Sequence, residues 1–163
     1  MTTDAQKLSR RAILSDEERA MLAIAMTEQK QQTFSRVSAE TGLDAELLRK
    51  LVRDGVISGV APYRVADVVG TCDIDQARAV AARLEAARQP VEGKPILASE
   101  AALKYRFNRT SIYNWHKNGW VKSVGTDKRG DLLFDEGDIA LARILADLSG
   151  HLPGKAVFPS KKK

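Results

Sequence analysis

Apolar residues recur with a helical period in several stretches of this chain. Ser15-Asp16-Glu17-Glu18 has a capping-box pattern and opens a helix carrying Met21, Leu22, Ile24, Ala25 and Met26. That helix is expected to run to about Gln32. Further on, the pattern repeats. Val37 to Ile57 can be laid without a gap on Ala101 to Val121, displaced by 64 positions. Leu43 falls on Phe107, Asp44 on Asn108, Leu48 on Ile112, Leu51 on Trp115, Gly55 on Gly119 and Ile57 on Val121. Asp73-Ile74 then matches Asp138-Ile139 at a displacement of 65. Capping, core and glycine positions agree together, which predicts two copies of one structural unit.

The second copy is easier to read. Ser99 is placed to cap a short helix through Lys104 or Tyr105. Arg106-Phe107-Asn108 makes a turn, and Asn108 caps a second helix from Arg109 to about Asn118. Gly119 supplies the left-handed residue that ends it. Val121–Val124 and Leu132–Phe134 are short β-prone runs around the polar loop Gly125–Asp131, hence a hairpin. Asp138 is read as the cap of a third helix with Ile139, Ala142, Ile144 and Leu145 on its apolar side. Pro90 to Pro95, with Gly93 between them, reads as a linker. The expected divisions are a tail and helix at 1–33, a first unit at 34–89, a linker at 90–95, a second unit at 96–149 and a basic tail at 150–163.

Charge changes the picture, because it is uneven. Residues 94–163 hold thirteen basic and seven acidic side chains, whereas the rest of the chain is close to balanced. The C-terminal Lys161, Lys162 and Lys163 account for half of that excess. A localised positive surface suits a polyanion, since each cation set against a phosphate releases counterions. On the helix from Arg109, a step of about 100° per residue turns Ile112 and Trp115 inward. Thr110, Tyr113, Asn114 and Lys117 then point outward, with Arg109 at the N-terminal end. That face has hydrogen-bonding groups and cations but no carboxylate. Arg and Asn suit base edges; Thr, Tyr and Lys suit bases or phosphates. Lys122 precedes the hairpin loop, and Lys128 and Arg129 sit at its tip.

These residues resemble a known family. Ala98-Ser99-Glu100-Ala101-Ala102, Asn108 to Trp115, Lys117-Asn118-Gly119, the hairpin and Asp135-Glu136-Gly137-Asp138-Ile139 look like the MerR/excisionase-type winged helix-turn-helix. The resemblance implies a recognition helix in the major groove of double-stranded DNA and wing contacts to the flanking backbone. By position, those roles fall on Arg109, Thr110, Ser111, Tyr113, Asn114 and Lys117, and on Lys122, Lys128 and Arg129. The long C-terminal dimerisation helix and effector domain of the family's regulators have no counterpart. The first copy matches less well: Glu46, Arg49, Lys50 and Arg53 are expected to face outward, and its wing region from Ser58 to Tyr63 has no cation before Arg64. Whether this copy also touches DNA stays open.

Other chemistry is poorly represented. Cys72 is the single cysteine, and His116 and His151 are far apart, so no metal set is expected. No phosphate-binding glycine loop, nucleophile motif or cofactor site is evident, and neither is a membrane span or signal peptide. The expectation is a mainly α protein with small β-hairpin wings, in which tandem winged helix-turn-helix units follow an N-terminal helix. It would work in the cytoplasm, associated with the nucleoid, as a transcription regulator or a recombination or phage architectural factor. A homo-oligomer or a protein partner is expected through the N-terminal helix or first unit. The rival readings are a protein-interaction adaptor and a small terminase-type DNA packaging subunit.

Overall fold

Short amphipathic helices cannot bury their apolar faces alone, and here they do so in two groups that share one core. The computed structural model describes residues 15–61, 70–150 and 156–160. Among these, the chain is mainly helical with two small antiparallel sheets. Helix α1 (Asp16–Lys30) comes first. A first group follows: β1 (Gln31–Thr33), α2 (Phe34–Thr41), α3 (Ala45–Arg53), β2 (Gly59–Val60), β3 (Thr71–Asp73) and α4 (Ile74–Arg88). After a 3-10 turn at Gln89–Val91 comes β4 (Pro95–Leu97), α5 (Ala98–Tyr105), α6 (Arg109–Lys117), β5 (Ser123–Thr126), β6 (Leu132–Asp135) and α7 (Glu136–Leu148).

The two groups have the same element order and the same sheet topology, β1-β3-β2 and β4-β6-β5. Their local chemistry also matches at a displacement of 64. The Asp44 carboxylate accepts from the Glu46 and Leu47 amides at 2.9 and 3.3 Å, capping α3. The Asn108 side-chain oxygen accepts from the Thr110 amide at 2.9 Å, capping α6. Gly55 and Gly119 follow these helices at φ 76° and 81°, a left-handed turn that favours glycine. The chain then folds back, with Val56 N–H on Leu51 O and Trp120 N–H on Trp115 O. Val37 and Ala101, Leu48 and Ile112, Leu51 and Trp115, and Ile57 and Val121 are buried in pairs.

Several expectations need correction. Helix α1 ends at Lys30, because Gln31–Thr33 pairs with β3. In the same way Pro95–Leu97 pairs with β6, so the expected linker ends in a strand. Helix α5 starts at Ala98, before Ser99; Leu97 holds the cap position, and the Glu100 carboxylate accepts its amide at 3.3 Å. Strand β5 begins at Ser123, because Val121 is buried in the core. Helix α7 is capped by Asp135, not Asp138. The repeat therefore realigns at its end: Asp73 caps α4 as Asp135 caps α7, and the second hairpin is the shorter by two residues. The proposed match of Asp73-Ile74 to Asp138-Ile139 is out of step by one helical turn. Residues 1–14, including most of the expected N-terminal tail, lie outside the described residues, as do Arg64, His151 and Lys161 to Lys163.

Helix α7 holds the two groups together. It packs against α4 more extensively than any other pair of helices, and α5 lies on it as well. Covered from both sides, α7 buries Ile139, Ala140, Ala142, Leu145 and Ala146, and its polar start too. The Asp135 carboxylate there accepts from Gly137 N–H at 2.8 Å and from Gly93 N–H at 2.9 Å. One buried carboxylate thus caps the helix and fixes the connection between the groups. Removing it leaves two amides without partners. Asp135→Ala is expected to lower unfolding free energy by about 2 kcal/mol. Asp135→Asn, which keeps an acceptor oxygen, should lose less than half of that; urea unfolding measures both.

Candidate nucleic-acid interface

The orientation of α6 follows from what it buries. Ile112 is fully buried and Trp115 nearly so. Trp115 meets Phe107 edge to face at 4.8 Å between ring centroids. Those contacts fix the rotation of the helix. Arg109, Thr110, Tyr113, Asn114 and Lys117 are left exposed, as the periodicity requires, and Ser111 is half-buried at the margin. Tyr113 is not free, however: its ring stands edge-on to Phe134 of β6 at 5.5 Å. The hairpin is therefore packed against the exposed helix face.

The turn before α6 is braced from below. Arg143 of α7 donates to Tyr105 O at 3.2 Å, and its guanidinium lies 4.9 Å from the centre of the Phe107 ring. Arg106 adopts a left-handed conformation, φ 57°, where the first group has Gly42. Both Lys104 and the Tyr105 hydroxyl donate to the Glu136 carboxylate, the latter at 2.7 Å. This joins the end of α5 to the start of α7. Burial alone would push the Glu136 carboxyl up, but these two hydrogen bonds and the charges of Lys104 and Lys94 hold it below the usual glutamate range. Burial pushes the Tyr105 hydroxyl well above its ordinary value, helped by its bond to Glu136. Burial also raises the Asp138 carboxyl, against the opposing bond from Lys122 N–H at 2.9 Å.

At the hairpin tip, the Asp127 carboxylate accepts from the Arg129 and Asp131 amides at 2.8 and 2.9 Å. This shapes a tight turn with the Lys128 and Arg129 side chains exposed. The register shifts between the Ser123–Phe134 and Gly125–Leu133 pairs, a bulge that leaves Val124 unpaired, with Gly125 at φ 143°. Lys122 is exposed at the base of the hairpin. Among the described residues, no carboxylate forms an ion pair with Arg109, Lys117, Lys122, Lys128 or Arg129. Of the nine residues that the sequence placed in the recognition helix and wing, eight are exposed and Ser111 is half-buried; the hairpin meets α6 through Phe134, which packs on Tyr113 and His116.

The corresponding face of α3 is built differently. Lys50 was expected to face outward, but its side chain is only 14% exposed and is ion-paired with Asp54. Arg49 sits 3.8 Å from Glu46 and over the Phe34 ring. Arg53 is exposed on the last turn. In the second group Thr110 stands in place of Glu46, Asn114 in place of Lys50 and Asn118 in place of Asp54. Glu46 and Asp54, the carboxylates that pair with Arg49 and Lys50, thus have no acidic counterpart on α6.

Two features near the site escaped the sequence. Exposed Arg106 and Asn118 extend the polar surface at either end of α6. The expected C-terminal tail also returns to the body: Val157 and Phe158 are buried, and residues 156–160 form one wall of a cleft of about 600 Å³ beside the α5–α6 turn. His116 has a structural position, its Nδ1 2.9 Å from Val121 O. Among the described residues, no cluster could hold a metal ion, and no helix is long and apolar enough to cross a membrane. No known protein family, curated protein or solved structure matches the chain.

The Glu136 network predicts an acid dependence. A carboxyl whose folded value is lowered adds stability above its unfolded value, and that stability is lost as pH falls through the folded one. Glu136→Gln should therefore destabilise the chain most at neutral pH, with the gap to the unaltered chain closing toward pH 3. Asp138 acts in the opposite sense: its raised value favours the folded state in acid, and this contribution is lost as pH rises through the raised value. Asp138→Asn should flatten that component. Urea midpoints measured across the acid range report both slopes.

Proposed function

We propose that the chain is a sequence-preferring double-stranded DNA-binding protein, built from tandem winged helix-turn-helix units, in which α6 enters the major groove and the β5–β6 hairpin is its wing. The observation that carries this reading is the α6 surface. It presents Arg109, Thr110, Tyr113, Asn114 and Lys117 with no neutralising carboxylate among the described residues, and the hairpin whose Phe134 packs on Tyr113 carries further exposed cations. Arg109 and Asn114 have the side chains best suited to base edges, guanine for arginine and adenine for asparagine. Lys117, Lys122, Lys128 and Arg129 suit phosphates, where they set register without reading sequence.

The first unit is assigned a supporting role. Its helix α3 holds Lys50 in a largely buried ion pair with Asp54, and breaking that pair to meet a phosphate would offset much of the gain, while Glu46 places a negative charge beside Arg49. Its helix α4 instead packs on α7. The biological setting is a transcription regulator or an architectural factor in recombination or phage development, with both drawing on the same DNA contacts.

With four cations on phosphates, the logarithm of affinity should fall with log salt at a slope of roughly −3 to −4. Between 50 and 200 mM salt this is a loss of roughly 10²-fold. On a duplex selected from a random pool, Arg109→Ala or Asn114→Ala should reduce preference over unrelated DNA by about 5- to 100-fold each. Lys128→Gln should weaken all sequences alike and reduce the slope by about one unit. Arg49→Gln should change neither. Fluorescence anisotropy titrations measure all of these. Absence of duplex binding by the purified chain at low salt rejects the proposal.

A further inference from the structure

The cleft beside the α5–α6 turn is made of groups that folding does not require. Its volume, about 600 Å³, is in the range of roughly 300 to 1,000 Å³ usual for small-molecule sites. All its walls belong to the described residues. The floor is aromatic, with Phe107, Trp115, Trp120 and Phe158. The Phe158 ring stacks on Trp120, with centroids 5.0 Å apart and planes 11° apart, and meets Trp115 edge-on at 5.4 Å. Trp120 Nε1 donates to Pro159 O at 3.2 Å, so its polar atom is already satisfied. What Trp120 offers the cleft is ring surface.

One flank is polar. Ser111, Asn114 and Asn118 recur at intervals of three and four residues, so they stand in one row along α6. The row is about 10 Å long. Each amide brings donors and an acceptor. Arg106, on the turn before α6, stands at the end of the row opposite Asn118. Among the described residues it is the one charged side chain lining the cleft, and no carboxylate forms an ion pair with it.

The repeat supplies the comparison. At a displacement of 64, the first group has Gly42, Leu47, Lys50, Asp54 and Val56 where the cleft has Arg106, Ser111, Asn114, Asn118 and Trp120. The same elements thus fold without any of these five. Arg106 even works against folding, because its φ of 57° lies in the left-handed region where Gly42 sits without strain at 76°. The backbone favours glycine at that position, and an anionic ligand favours arginine.

We propose that this cleft binds a small organic anion with a flat, hydrogen-bonding ring, of the nucleoside monophosphate class. The Arg106 guanidinium takes the phosphate, for which its forked donors are suited. The base lies on the aromatic floor toward Trp120, and the amides of Asn114 and Asn118 meet its edge. An asparagine amide, with donor and acceptor side by side, matches adenine. This inference does not rest on the DNA-binding reading of α6, although Asn114 belongs to both surfaces.

The chain has two tryptophans and both line the cleft, so their indole N–H signals in NMR report on it directly. The test titrates AMP into the full chain. The Trp120 indole signal is expected to shift, with a Kd of about 0.01 to 1 mM. Arg106→Gly restores the residue of the first group and relieves the left-handed backbone, so the fold should tolerate it. It is expected to weaken AMP binding by about tenfold or more. Asn118→Asp, which returns the carboxylate of Asp54 to the row, should weaken it by about threefold or more. Inorganic phosphate and adenosine, each supplying half of the ligand, should bind about tenfold more weakly than AMP. Four results overturn the proposal: neither indole signal moves at about 5 mM AMP, Arg106→Gly binds AMP as tightly as the unaltered chain, inorganic phosphate binds as tightly as AMP, or adenosine does.

Discussion

The burial of Ile112 and Trp115 is the constraint on which the rest of the second unit depends. A nine-residue helix is too short to persist in water without tertiary packing. Its stability comes from placing those two side chains in the core, each worth about 1.5 to 3 kcal/mol. Their burial leaves α6 no freedom to rotate, and so decides which five residues face out. Phe107, Phe134, Arg143 and Phe158 all close around this helix, bracing its start, its flanks and its end. An interface whose residues are set by a rigid core gains in preorganisation.

The two units show how one scaffold can hold two surfaces. Core, caps and glycine stops are shared, because each is dictated by folding. The outward faces diverge, because folding does not dictate them. On α3, Glu46 and Asp54 neutralise neighbouring cations; on α6, Thr110 and Asn118 take their places. The first unit then contributes α4, whose long contact with α7 buries what would otherwise be an apolar face. Helix α1 stands apart, with Met21, Leu22, Ile24 and Met26 at least half exposed.

Much of this was legible in the sequence. The repeat at a displacement of 64, the Asn108 cap, the Gly119 stop and the exposed face of α6 all follow from local chemistry: a side-chain oxygen where helix amides need one, a glycine where φ is positive, and a period near 3.6. What was missed depends on distant partners. Strands β1 and β4 have three residues each, too few to show alternation, and β4 begins with a proline that reads as linker. Asp135 and Asp138 both look like caps. Asp135 takes that place and also binds Gly93, while Asp138 is drawn to Lys122 on the hairpin side. Phe158 lies in a short segment bounded by lysines, glycine and prolines, and nothing local marks it as a core residue. Lys50 was read outward from helix geometry alone, which does not register an ion pair one turn away.

The most direct test of the central claim is the change in backbone amide NMR shifts when a short duplex is titrated into the full chain at low salt. The account predicts that the largest changes fall on Arg109 to Lys117 and Asp127 to Gly130, with Glu46 to Arg53 little affected. Changes centred on α3, or none above those caused by salt alone, would contradict it.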